Sequence, residues 1–336
     1  MNNVNLQFLL SLTIIFLGYF LKRGKILKKE DAEGLSRLVL NVTLPCLILV
    51  TISEIELNGT LLTLPLLCFG FGLLSLLIGF LIFPKGSGTD KELGIQIMGL
   101  LGFNIGLFAY PLIEGIFGIP GLQAIAMVDL GNAFVIFGLM FLVGMFFSKN
   151  GSESEINNQH SMNKELNAQI PLNSFSNNRI QDQKYGKIII KRFLTNLPLL
   201  SYLISILFAA VNFEIPEFPK TILSIIAMCN RGLVLLMIGL TMNIEFDKKY
   251  WKPILKILAT RYTLGIGLGV LLYFILPFDP FLKGILLISF VLPLGASIIP
   301  YSVMFNLNRD IAGFLVNITN IISFILLWLL ISMILI

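Results

Sequence analysis

Histidine, cysteine and charge are all scarce in this chain. Its 336 residues include one histidine and three cysteines, and only 13% carry a charge. His160 lies in a polar stretch, so the apolar segments hold no histidine for a proton relay or a metal. Cys46, Cys68 and Cys229 are odd in number and lack disulfide or metal-ligand spacing, which leaves them as small core residues. The motifs that mark metallopeptidases, Walker A nucleotide sites, paired-aspartate prenyltransferases and serine-hydrolase elbows are missing. The expectation is a protein that is not an enzyme and needs no cofactor.

Apolar residues are abundant. At 56% hydrophobic and a mean hydropathy of +0.88, the chain is too apolar to be a soluble domain of this size. Polar breaks divide it into ten candidate spans at about 5–21, 35–53, 61–83, 93–113, 121–147, 187–211, 220–242, 252–277, 281–305 and 310–335. The first is followed by Lys22, Arg23 and Lys25 and has no basic region ahead of it, so it reads as a retained span. The net charge of +5 sits in connections between spans and forms no soluble basic face for nucleic acid. Lysine and arginine concentrate in alternate connections, which the positive-inside rule assigns to the cytoplasm with both termini outside. The expected setting is the plasma membrane, crossed many times.

Two segments share their punctuation. Asn104-Ile-Gly106 leads to Tyr110-Pro111, and Pro293-Leu-Gly295-Ala-Ser297 leads to Pro300. Gly106 and Gly295, like Pro111 and Pro300, are 189 residues apart, and the same offset carries Asn41 onto Asn230 and Ile55-Glu56 onto Ile244-Glu245. Glycine and proline break a helix, and broken backbone inside a membrane must face protein or a wet cavity. Five spans separate the equivalents, so the second half is inserted upside-down, as in inverted-repeat transporters. The expected domains are 1–148, a first five-helix repeat; 149–186, a flexible cytoplasmic linker rich in Asn, Ser and Gln; and 187–336, the inverted repeat.

A half-helix N-terminus at such a break is a ready anion site. Asn104, Gly106, Pro111, Pro293, Gly295, Ser297 and Pro300 are therefore candidate substrate-cavity residues, with Asn41, Asn230 and Arg231 from the other matched pair. Arg231 sits mid-span and needs either a substrate anion or a carboxylate partner, for which Asp129 is the best placed. Asp129 is also the candidate proton carrier. Lys256 and Arg261 read as snorkelling residues near a cytoplasmic end, and Glu114 as a solvated one.

At Leu40-Asn41-Val-Thr-Leu-Pro45, Gly102-Phe-Asn104-Ile-Gly106 through Pro111, Phe117-Gly118-Ile-Pro-Gly121 and Leu292-Pro293 through Pro300, the chain resembles the auxin efflux carrier family. That family's bacterial members include permeases described as malate or malonate transporters. The resemblance covers all but the linker and implies ten spans in two inverted repeats, with crossovers in spans four and nine holding an organic carboxylate. The chain is also similar to the broader group of sodium–bile acid symporters and sodium–proton antiporters. The expected fold is thus an all-α polytopic membrane protein. The expected function is a secondary active or facilitative transporter of small organic anions working by alternating access; a sodium-coupled symporter and a non-transporting membrane sensor are the alternatives. The partners in this reading are the anion, the lipid bilayer and a second copy in a homodimer.

Overall fold

The computed structural model describes residues 2–83, 90–148, 195–242 and 250–334. The linker expected at 149–186, the start of the sixth expected span, His160 and Ile244-Glu245 lie outside the described residues. In chain order the helices are α1 (Asn2–Arg23), α2 (Lys29–Leu38), α3 (Leu44–Ile52), α4 (Gly59–Ile82), α5 (Asp90–Met98), α6 (Tyr110–Phe134), α7 (Phe141–Ser148), α8 (Leu197–Ala210), α9 (Glu217–Thr241), α10 (Trp251–Ile275), α11 (Pro280–Phe290), α12 (Ile298–Met304) and α13 (Arg309–Ile334). Among the described residues, seven helical stretches are long and apolar enough to cross a bilayer. Together they make this an all-helical, multi-pass membrane protein.

The starts of these helices follow from their caps. Asn58, Asn196 and Asp279 each accept a hydrogen bond from a backbone N–H of the first turn, at 2.8, 2.9 and 2.8 Å, and open α4, α8 and α11. Proline follows at the first or second position of α8 and α11, where its missing N–H has no partner to lose. Two helix ends are closed by lysines: Lys22 donates to the Met242 carbonyl past α9, and Lys256 to the Ile82 carbonyl of α4.

Proline also explains two wide turns. Val39–Thr43 and Ile105–Ala109 are π-helical, and each ends two residues before a proline, Pro45 and Pro111. Leu44 and Tyr110 then reach back five residues, to the Val39 and Ile105 carbonyls. The wider turn makes room for a ring that would otherwise strike a carbonyl. It also inserts an extra residue and so rotates the face that follows.

The helical stretch Ile105–Ser148 is 44 residues long. That is about 66 Å at helical rise, twice the thickness of a hydrocarbon core. It folds at Gly118, whose φ of 64° and ψ of −153° exclude any side chain. Elsewhere the helix is interrupted outright: turns and a short non-helical stretch at 99–104 separate α5 from the Ile105 turn, and another such stretch at 291–297 separates α11 from α12. Phe103 and Leu294, one from each break, form an isolated antiparallel bridge.

Two apolar clusters surround the breaks. One gathers α1, α3, α9, the α6 region and α11; the other gathers α5, α7, α10, α12 and the first half of α13. Gly18 and Gly239 bring the α1 and α9 backbones together, since a methyl group on either would run into the other helix.

Candidate functional site

A break in a membrane helix frees backbone groups that lipid cannot satisfy. Here they are taken up almost one by one. The Asn104 N–H donates to the Pro293 carbonyl at 2.9 Å, joining the two breaks directly. Asn132 of α6 grips the Phe103 peptide at both ends, accepting from its N–H at 2.8 Å and donating to its carbonyl at 2.9 Å. Thr319 of α13 accepts from the Leu294 N–H at 3.1 Å, and Ser323, one turn on, donates to the Val291 carbonyl at 2.6 Å. Ser323 is held in turn by the Tyr262 hydroxyl at 2.9 Å.

Arg261 of α10 reaches both breaks. Its guanidinium donates to the Gly99 carbonyl at 3.3 Å, the Gly102 carbonyl at 2.8 Å and the Leu292 carbonyl at 3.1 Å, and lies 4.9 Å from the Phe103 ring centre. Snorkelling is therefore not what Arg261 does. Its side chain is 2% exposed and points into the crossing. Lys256, by contrast, is exposed and caps α4. Gly102 adopts a φ of 69°, and a side chain there would also meet Ile136 at 2.7 Å.

The expected site residues divide into two groups. Asn104, Pro293 and Gly295 are buried together at the crossing, with Gly106 and Pro111 on the helix that leaves it. The Asn104 side chain is 8% exposed, yet its amide bonds to no other described residue. The Ser297 hydroxyl, at the start of α12, is also without a hydrogen bond among the described residues. Pro300 lies exposed in the first turn of α12, away from the crossing's interior.

The second matched pair is rearranged. Asn41 is exposed and returns its amide to the Arg37 carbonyl at 2.9 Å. Thr43 takes the inward place and donates to Asn230 Oδ1 at 2.8 Å, leaving the buried Asn230 Nδ2 without a partner among the described residues. Leu44, next in sequence, comes to 3.0 Å from where a Cβ on Gly106 would stand, so this pair borders the crossing.

Arg231 and Asp129 do not meet. Arg231 donates to Gln7 Oε1 at 2.7 Å, and its guanidinium covers Gly115. Asp129 accepts from the Tyr202 hydroxyl at 2.7 Å and from Asn132 Nδ2 at 2.9 Å, while Tyr202 shares a short hydrogen bond with Tyr110. The expected ion pair does not form, because neutral side chains stand nearer: Gln7 of α1 for Arg231, and Tyr202 of α8 with Asn132 of α6 itself for Asp129. Asn132 serves Asp129 and the Phe103 peptide at once, so the carboxylate is one side chain away from the crossing. A separate groove of about 630 Å³ opens beside α1 and α13, walled by Phe8, Leu12, Ile238, Phe324 and Trp328, with Phe108 behind it. Its walls are almost wholly apolar, with Asn5 and Asn320 as the polar exceptions.

Asn132, Tyr202, Arg261, Thr319 and Ser323 were not among the expected site residues. A polar side chain inside an apolar window was the available signal, and Arg261 carried it most strongly.

Comparison with known proteins agrees with this architecture. A relative from Methanothermobacter thermautotrophicus, described as an uncharacterized transporter, is 33% identical over 144 residues, covering 42% of this chain and 47% of its own. Another, an uncharacterized transporter of Methanocaldococcus jannaschii, is 34% identical over 154 residues, covering 44% and 49%. Each match spans about half the length of the relative. The family described as Membrane transport protein matches residues 7–331, so the chain belongs to that transporter family, the auxin efflux carrier-like one.

Proposed function

We propose that the protein carries small organic anions, carboxylates above all, across the plasma membrane by alternating access, at a site formed where its two breaks cross. The observation that carries this reading is the Asn104–Pro293 contact, with a buried Asn104 amide left free beside it. The helix leaving Asn104 starts at Ile105, and its first N–H groups have no intrahelical acceptors. They present about half a positive charge to the crossing. An amide that donates and accepts can hold a carboxylate there without the insertion cost of another ion.

The contact also supports the inverted repeat. Asn104 and Pro293 are 189 residues apart, the offset that relates the two halves. Equivalent residues that touch must lie beside the axis relating them. A count of ten passes follows if Ile105–Ser148 turns back at Gly118, each broken segment crosses once, and α8 is the visible part of a sixth pass. With the basic connections inside, both termini are extracytoplasmic and residues 149–186 form a cytoplasmic linker between domains 1–148 and 187–336. Asp129, joined to the crossing through Asn132, is the proton carrier in this reading.

The test combines binding and flux. Mono- and dicarboxylates are screened for thermal stabilisation of purified protein, and those that stabilise it are followed into proteoliposomes. Asn104→Ala is expected to unfold within about 2 °C of wild type, because its amide has no partner among the described residues, but to lose both stabilisation and flux. Normal flux in that variant would remove the crossing from the mechanism.

A further inference from the structure

Arg261 is the eleventh residue of the 25-residue α10. About 15 Å of helix separates it from the α10 N-terminus. A guanidinium cannot shed its charge there, and a charge at that depth is costly even on a lenient insertion scale. Among the described residues, none of its hydrogen bonds goes to a carboxylate. Something else must balance it.

The three carbonyls it holds follow the C-terminal ends of two short helices. Gly99 and Gly102 come just after α5, which ends at Met98, and Leu292 just after α11, which ends at Phe290. Each helix end carries about half a negative charge, so two together match one guanidinium. The Phe103 ring adds a further attraction for a cation. The Nε–H of Arg261 has no partner among the described residues, so the seat is shaped to the charge more closely than to the full fork of donors.

We propose that Arg261 is a tethered counter-cation, its guanidinium filling a carbonyl-lined seat between the ends of α5 and α11 that a small free monovalent cation would otherwise occupy. The seat is served once for both halves of the chain. The position 189 residues before Arg261 is Gly72, which has no side chain to offer. With the seat filled from within, the crossing keeps its shape without sodium or potassium. Arg261 is thus a positioning residue, acting on the backbone of both breaks.

Thermal unfolding of the purified full-length protein tests this without any transported solute, so its outcome is independent of the substrate reading above. Wild type is expected to melt at one temperature in sodium, potassium and choline chloride of equal concentration. Arg261→Gln is expected to melt about 5 °C or more lower in choline and to regain at least half of that in dilute guanidinium or sodium chloride. Arg261→Lys should stay indifferent to the cation, as should the surface control Lys256→Ala. If Arg261→Gln does not fold, recovery of a folded, cation-indifferent protein in Arg261→Lys supports the proposal on charge alone. Three results would overturn it: wild type stabilised by sodium over choline, a folded Arg261→Gln indifferent to every cation, or failure of Arg261→Lys to fold.

Discussion

The two breaks meet as partners but are held by different means. The first, around Phe103, is gripped by one bidentate amide, Asn132, which satisfies a whole peptide unit. The second, around Leu294, is held by two hydroxyls on successive turns of α13, Thr319 and Ser323, each serving one backbone group. An amide can donate and accept toward the same peptide; each hydroxyl here serves one backbone atom and spends its other bond elsewhere, Thr319 on the Leu315 carbonyl of its own helix, 2.7 Å away, and Ser323 on Tyr262. The first break is therefore fastened at a single point whose loss is severe, and the second at several points whose losses are graded. Arg261 is the exception, since it bridges both.

Substitutions can sharpen that contrast. Asn132→Leu keeps the branched skeleton, at a somewhat larger volume, but leaves the buried Phe103 N–H and carbonyl unmet. The expected cost is about 3 kcal/mol, measured as a fall in unfolding temperature of the purified protein. Thr319→Val strands only the Leu294 N–H and should cost about 1.5 kcal/mol in the same measurement. Ser323→Ala removes one bond to a carbonyl and one to Tyr262, whose hydroxyl keeps the Thr319 carbonyl at 3.2 Å. Its effect should be the smallest, about 1 kcal/mol or less. Equal losses at Asn132 and Thr319 would mean that the breaks are fastened alike and that the contrast is only geometric.

The breaks themselves were legible in the sequence because glycine and proline act locally. Asn104-Ile-Gly106 and Pro293-Leu-Gly295 disrupt a helix wherever they stand, and the structure opens at both. The fastenings were not legible, because they connect residues far apart in the chain. Asn132 lies 29 residues from Phe103, and Arg261 lies 159 residues from Gly102. Nothing in the neighbourhood of Arg261 separates a snorkelling residue from a buried one; the three carbonyls that receive it exist only after both breaks have formed. Asn41, which the sequence leaves open between the backbone and a ligand, turns to the Arg37 carbonyl. Within the π-helical turn Val39–Thr43 it is Thr43, not Asn41, that faces Asn230. The Arg231–Asp129 pair failed because charge complementarity alone ignores the neutral groups nearby, Gln7 for one and Tyr202 with Asn132 for the other.

Phe71 and Phe290 stack at 4.4 Å, and Phe103 lies 5.4 Å from the first and 6.3 Å from the second. One ring belongs to the first break, one to the end of α11 and one to α4, so the stack runs alongside the backbone seam. Rings in such contact slide or separate; they do not flex. The three rings therefore fasten α4 and the end of α11 to the first break without using a hydrogen bond, as a rivet holds a seam.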